Sequence, residues 1–381
     1  MSGSNDPTRV VILGAGFGGL ELSTRLCTDL AGSVEVTLID KRDAFVFGFS
    51  KLDVMFGRQT LHAVSLPYSV MSHPGLTFRQ ETVQAIYPVA KRVVTDAGVY
   101  EADILVVALG ADLAPESTPG LLEHGHEFYS SAAAPGLWNV IDTFAGGDVV
   151  IAVLGGFFKC PPAPYEAAFL LRDHLERKGL WEQSSITIVT PMPKPIPISD
   201  DVSNGIMGAL DERGITYSHG TWTERIEAGT VHLRDGSERR FDLFLGVPVH
   251  VAPAVVVEAG LTDDGWIAVD QNTFATKFDG VYAIGDVASV PVPRAGVVAE
   301  GEARTLADVL FHRLGGGPAP EPFPGEIMCY IEMGNETIGR ANVNFLSGPA
   351  PVARYTPPSS EGSAEKKEFG AARRARWFGL T

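Results

Sequence analysis

The run Arg9-Val10-Val11-Ile12-Leu13 leads directly into Gly14-Ala15-Gly16-Phe17-Gly18-Gly19, and an amphipathic segment continues to Leu30. An apolar β-branched run, a G-x-G-x-x-G turn and a helical pattern predict a strand, a phosphate loop and a helix packed as one unit. Gly14 permits the tight turn, Gly16 lets backbone approach a pyrophosphate, and Gly19 lets the helix lie close to the strand. The helix N-terminus then offers N–H groups and positive potential to the phosphates. Residues 34–39 predict the next strand, which ends in Asp40-Lys41, where an acid bonds the ribose hydroxyls. A glycine-rich surface turn would need none of these flanking features. The expected ligand is a dinucleotide, held by Gly14, Gly16, Phe17, Gly18, Gly19, Asp40 and Lys41.

A second such stretch begins well and then departs. Residues 148–154 form a strand pattern followed by Gly155-Gly156, but the chain goes on Phe157-Phe158-Lys159-Cys160-Pro161-Pro162-Ala163-Pro164-Tyr165-Glu166. Proline has no N–H to give a phosphate and favours the first helical turn, so these prolines start a helix while spoiling an anion nest. Phe157 and Phe158 would crowd a pyrophosphate. The next strand, 186–189, ends at Thr190-Pro191, with no acid for a ribose. This half is expected not to bind NAD(P)H.

Cys160 falls at that helix start, where the macrodipole would favour a thiolate; a small buried apolar residue is the plainer reading. With only Cys27, Cys160 and Cys329, a disulfide-stapled secreted scaffold is excluded. Cys27 lies on the apolar side of the first helix and reads as inert core. Cys160 and Cys329 remain as a candidate redox pair.

The motif from Cys160 to Glu166, the segment Val281-Tyr282-Ala283-Ile284-Gly285-Asp286-Val287, and Cys329-Tyr330 resemble the flavin subunit of flavocytochrome c sulfide dehydrogenase and the related sulfide:quinone oxidoreductases. The likeness spans essentially the whole chain. The glycine loop and the Gly-Asp segment are shared by many flavoproteins with two dinucleotide folds, whereas the cysteine-proline motif joined to a late second cysteine is more specific. The resemblance implies an α/β fold of two Rossmann-like domains, glutathione reductase-like, with a small α+β C-terminal domain. It implies FAD as cofactor, Cys160 and Cys329 as a catalytic disulfide or polysulfide bridge beside the flavin, and Glu166 as a carboxylate near it. Hydrosulfide, or a related small thiol or persulfide, would open the bridge, leaving a persulfide on one cysteine and a thiolate on the other, Cys329 being the flavin-side thiolate. A quinone is the expected electron acceptor. Two other readings stay open: an NADH:quinone-type dehydrogenase, and a flavin subunit that hands electrons to a cytochrome partner. Around His126 and Ser199 the chain lacks the further cysteine that quinone-reducing members often carry, and in its cysteine economy it is nearer the flavocytochrome type.

Chemistry supplies the remaining flavin contacts. Ala108 and Gly110 close the strand 104–107, and a small-residue exit lets backbone pass over a cofactor. Gly285-Asp286 ends another strand at the carboxyl edge of the sheet, where ligands of open α/β sheets bind, and Asp286 would accept ribityl hydroxyls. The helix expected over 297–314 begins at Val297, and its N-terminus would stabilise a reduced, anionic flavin.

A chain of 381 residues has room for several domains. We expect an FAD domain in two pieces, 1–111 and 246–315, around a second, degenerate dinucleotide domain at 112–245, with a C-terminal domain and tail at 316–381. Residues 326–345 read as a hairpin and 359–364 as loop. The net charge of −16, from 30 basic and 46 acidic residues, argues against nucleic acid as a partner. No export signal or apolar stretch of about 20 residues is apparent, so the expected location is cytoplasmic or peripheral on the inner face of the cell membrane. The tail opposes the acidic trend: Lys366, Lys367, Arg373, Arg374 and Arg376 accompany Trp377 and Phe378. Such a terminus suits anionic lipid headgroups, the chain's own acidic surface, or a second copy in a homo-oligomer.

Overall fold

The computed structural model describes residues 6–315, 317–346 and 348–380. Its first sheet has the order Val281–Ala283, Ile104–Val107, Thr8–Leu13, Val34–Asp40, Leu76–Gln80, with every neighbouring pair parallel. A parallel sheet covered on both faces reads as an unbroken apolar run, and successive side chains point to opposite faces. Val10 and Ile12 accordingly join one core with Leu20, Leu22 and Leu306. Val11 and Leu13 join the opposite core with Ile86 and Val93. The first face is covered by the glycine-loop helix Phe17–Asp29 and the long helix Gly296–Arg313. The second is covered by an antiparallel meander, Val83–Tyr87, Arg92–Thr95 and Val99–Glu101.

A second parallel sheet repeats the plan, in the order His126–Glu127, Leu243–Val247, Asp148–Val153, Ser185–Thr190, Thr216–His219. The molecule is thus a mixed α/β fold built on two Rossmann-type units. In both sheets the strand order reverses beside the first strand of the unit, which opens a crevice at the carboxyl ends of the strands.

The C-terminal region pairs Glu326–Glu332 with Ile338–Asn344, the predicted hairpin, and adds Val352–Ser359 as a third antiparallel strand. The loop expected over 359–364 is instead the start of the helix Ser360–Phe378. Ser359 caps it, its hydroxyl accepting the Gly362 N–H at 3.1 Å. A serine ahead of a Glu/Lys/Ala/Arg-rich run is an N-cap signal, outweighed in the sequence reading by the local Ser/Gly content.

Of the partners expected for the basic aromatic tail, the structure shows the chain's own acidic surface. Trp377 and Phe378 are 0% and 3% exposed. Lys366 pairs with Glu332, Arg373 with Glu300 and Arg376 with Glu21. The tail docks on the chain's own acids and its rings complete the core of the first sheet. No described helix is long and apolar enough to cross a membrane.

Candidate active site

Sterics fix the glycine loop before any ligand is considered. Gly14 has φ +99°, and a Cβ there would stand 2.3 Å from the Ala108 carbonyl oxygen. On Gly19 a Cβ would stand 1.9 Å from the Gly14 carbonyl oxygen. Gly16 has nothing within 4 Å, so its backbone borders open space on the side where pyrophosphate approach is expected. Asp40, buried at its strand end, accepts the Ala15 N–H at 2.8 Å and the Arg42 N–H at 2.9 Å; Lys41 beside it is exposed. Phe17 departs from expectation in its side chain. The ring turns into the core, edge-on to Phe45, Phe47 and Trp377, so only its backbone faces the loop's concavity.

Gly110 and Gly285 hold φ +71° and +77°. The Gly285 N–H donates to the buried Glu302 at 2.5 Å, and burial, reinforced by Asp286, pushes that carboxyl up to about 8. Burial also raises the Asp286 carboxyl, against Lys159, Arg294 and Lys51, which pull it down. Val297 is half-buried in the first turn of the long helix. Glycine edges, two helix N-termini, an acid at the strand end and cations beside Asp286 together fit a full dinucleotide.

Cys160 has φ +57°, a left-handed backbone that costs a non-glycine residue about 1–3 kcal/mol and persists only where its surroundings impose it. Here its N–H donates to the Arg294 carbonyl at 2.8 Å. Its carbonyl accepts the Ala163 N–H at 3.0 Å and the Tyr129 hydroxyl at 3.5 Å. The thiol is exposed to the cleft, yet the protein around it displaces enough solvent to push its pKa well up, with Glu166 and Cys329 adding to the rise and Lys51 opposing it. This corrects the expectation of a helix-start thiolate. The helix begins only at Ala163, Pro164 withholds a donor from its first turn, and burial, with Glu166 next, raises the thiol.

Cys329, half-buried in the strand Glu326–Glu332, is raised to about 12 by burial and then by Glu166. Glu166 is 2% exposed, not a surface acid. Its Oε1 accepts the Glu332 N–H at 2.9 Å, and burial lifts it to about 7 despite Lys366. The fold therefore brings Cys160, Cys329 and Glu166 within electrostatic reach of one another, with all three cysteines present as free thiols. Cys27 is buried in the core, its thiol raised to about 11 by burial. On one side of Cys329 lies an apolar cavity of about 50 Å³, whose lining includes Pro161, Pro162, Ile196, Ile331 and Phe345.

Several polar groups near the cysteines escaped the sequence reading. Lys51 donates to the Tyr129 carbonyl and is lowered to about 8 by burial and by Lys159. Lys159 donates to the Ala111 carbonyl at 3.1 Å. Buried His250 bonds the Pro248 carbonyl through Nδ1 at 2.8 Å, and burial keeps it neutral with a pKa near 3. The available signal was a lysine inside an apolar run, Phe47 to Leu52, since a buried cation is costly unless it is used.

The second unit's loop is also partly as expected. Pro164 sits in the first helical turn, but Phe157 is 75% exposed beside Arg294 and fills no nucleotide space, while Phe158 is buried against Tyr129. The obstruction to a phosphate falls to the prolines.

Residues 8–303 match the family described as pyridine nucleotide-disulphide oxidoreductase. A type II NADH:quinone oxidoreductase of Staphylococcus saprophyticus is 27% identical over 353 residues, covering 84% of this chain and 85% of that protein. Among solved structures, the sulfide:quinone oxidoreductase of the hyperthermophilic bacterium Aquifex aeolicus superposes with a TM-score of 0.88 at 21% identity, covering 98% of this chain and 92% of that one. NDH2 of Plasmodium falciparum in complex with NADH superposes at 0.73 and 13% identity, covering 98% and 97%. The chain belongs to the pyridine nucleotide-disulphide oxidoreductase family and is a flavin-dependent oxidoreductase whose cofactor is FAD.

Proposed function

We propose that the protein oxidises hydrosulfide at Cys160 and Cys329 and delivers the electrons to a quinone. The observation that carries this reading is the convergence of two cysteines, distant in sequence, on one buried carboxyl, Glu166, with Cys329 and the prolines next to Cys160 lining a small apolar cavity. A cavity of about 50 Å³ accepts several water-sized groups. Apart from Cys329 its lining is aliphatic, aromatic or proline, with no charged or hydrogen-bonding side chain for a thiol that bears amino-acid charges. Hydrosulfide and a short sulfur chain fit.

In the oxidised protein the two cysteines are bridged. Hydrosulfide attacks one sulfur, the S–S bond breaks, a persulfide forms on that cysteine, and the other leaves as a thiolate. Glu166, poised near neutrality, takes the proton of the incoming sulfide or returns one to the leaving sulfur. Bound FAD would accept the electron pair released when that thiolate and the deprotonated persulfide close on each other as a trisulfide, and a second hydrosulfide would carry the added sulfur off as hydrodisulfide and restore the two-cysteine bridge. Quinone as the final acceptor is supported by the names of both kinds of relative, which reduce quinones from sulfide or from NADH.

The likeness to NADH:quinone oxidoreductases gives the second reading its weight. Against it, Pro161, Pro162 and Pro164 stand where a second phosphate loop needs N–H donors. Anaerobic titration, watching flavin absorbance, separates the two. Sulfide should bleach the flavin and NADH should not, while Cys160→Ser and Cys329→Ser should stay yellow and fail to bleach with sulfide. Bleaching by NADH at a comparable rate, or by sulfide in the serine variants at the parental rate, would overturn the proposal.

A further inference from the structure

Glu21 lies two residues past Gly19 on the glycine-loop helix, is 0% exposed, and has no part in the chemistry above. Three helices meet on it. Its carboxylate accepts from Trp377 Nε1 at 2.8 Å, from Arg376 Nε and Nη2 at 2.9 Å each, and from Arg304 Nε at 2.8 Å. On the long helix, Glu300 is 2% exposed and accepts from Arg373 at 2.8 and 3.0 Å and from Arg304. Glycine-loop helix, long helix and C-terminal helix are thereby joined in a closed ionic circuit. Buried acids tolerate burial only while their partners stay in place, so the circuit holds or opens as a unit.

The circuit also bears on the cofactor cradle. Trp377 packs edge-on to Phe17, centroid to centroid 5.5 Å at 86°. The same ring also meets the long helix without slack: a Cβ on Gly296 would lie 2.6 Å from Phe17. Phe17 belongs to the phosphate loop between Gly16 and Gly18, and Gly296 is the first residue of the long helix. One ring therefore sets the spacing of the two helix N-termini that border the cradle, and Trp377 backs that ring.

We propose that the C-terminal helix is a cofactor latch, in which Trp377 and Glu21 are positioning residues that hold the phosphate loop and the long helix at the spacing FAD binding requires. The linkage is reciprocal. Seating the tail strengthens FAD binding, and bound FAD keeps the tail seated. If unlatching leaves the loop competent about a tenth of the time, apparent affinity falls about tenfold.

FAD titration of deflavinated protein, read by quenching of flavin fluorescence, tests this directly. Trp377→Ala and Glu21→Gln should bind FAD about tenfold more weakly than the parent. Leu380→Ala, at the exposed end of the chain, should bind like the parent. A second measurement needs no variant: carboxypeptidase trimming of the unaltered chain past Trp377, followed by mass spectrometry, should slow about tenfold when FAD is saturating. Affinities of both variants within about twofold of the parent, or equal trimming rates with and without FAD, would overturn the latch. Should the variants fail to fold, the trimming rates decide alone.

Discussion

Glu166 unites what a motif can carry and what only a fold can set. Its place six residues after Cys160 was legible in the sequence, and so was the chemical type of both cysteines. Its burial was not, because burial depends on the strand Glu326–Glu332 arriving from the far end of the chain to offer the Glu332 N–H. Lys51 and Lys159 were missed for the same reason, since a lone lysine becomes informative only once its surroundings are known. The pH consequence for Glu166 has a definite sign. Its folded pKa is about 7 against a reference of 4.5, so the folded state holds the proton more tightly. That contribution is fully present below about pH 4.5 and is lost as pH rises through 7. Glu166→Gln keeps an oxygen for the Glu332 N–H and removes the loss. Relative to the parent, it should gain stability between pH 5 and pH 8 by on the order of 3 kcal/mol. Urea unfolding of both proteins at the two pH values measures this, and parallel pH dependences would refute the assignment.

At the scale of elements, the glycine-loop unit was almost wholly legible, because strand, turn and helix are each encoded locally and agree with one another. Its glycines nevertheless do different work. Gly14 combines a positive φ with a Cβ position 2.3 Å from a backbone oxygen, whereas Gly16 meets nothing within 4 Å. Gly14→Ala should therefore disturb the fold itself, costing several kcal/mol and yielding little soluble protein (strain alone is worth about 1–3 kcal/mol). Gly16→Ala should fold with near-parental urea stability but purify without flavin, the added methyl standing where a pyrophosphate approaches. Equal flavin content in Gly16→Ala and parent would contradict the cradle described above. The C-terminal helix shows the opposite case. Its charge pattern was visible, but two partners for a basic aromatic segment, a lipid surface or the chain's own acids, look alike in sequence. The positions of Glu21 and Glu300 show that the chain's own acids are partners of this segment.

In the whole molecule, the two site cysteines come from different layers: Cys160 from the loop ahead of Ala163–Arg177, Cys329 from the C-terminal antiparallel sheet. No local pattern predicts such a meeting, because long-range pairing is a property of topology; composition left two cysteines once Cys27 was assigned to the core, and only the resemblance carried by the cysteine-proline motif and Cys329-Tyr330 paired them. The meeting has a thermodynamic consequence. A bridge between them closes a loop of about 170 residues that includes strands of both parallel sheets, and a crosslink of that size restricts the unfolded chain by about 5 kcal/mol. The oxidised, bridged protein should therefore be more stable than the reduced one. Denaturant midpoints measured with and without a strong reductant should differ in the parent by that order. They should coincide in Cys329→Ser, which cannot form the bridge, and remain apart in Cys27→Ser if that variant folds, since Cys27 is core. A parent protein whose midpoint ignores reductant would show that Cys160 and Cys329 do not bridge, and the proposed sulfide chemistry would lose its first step.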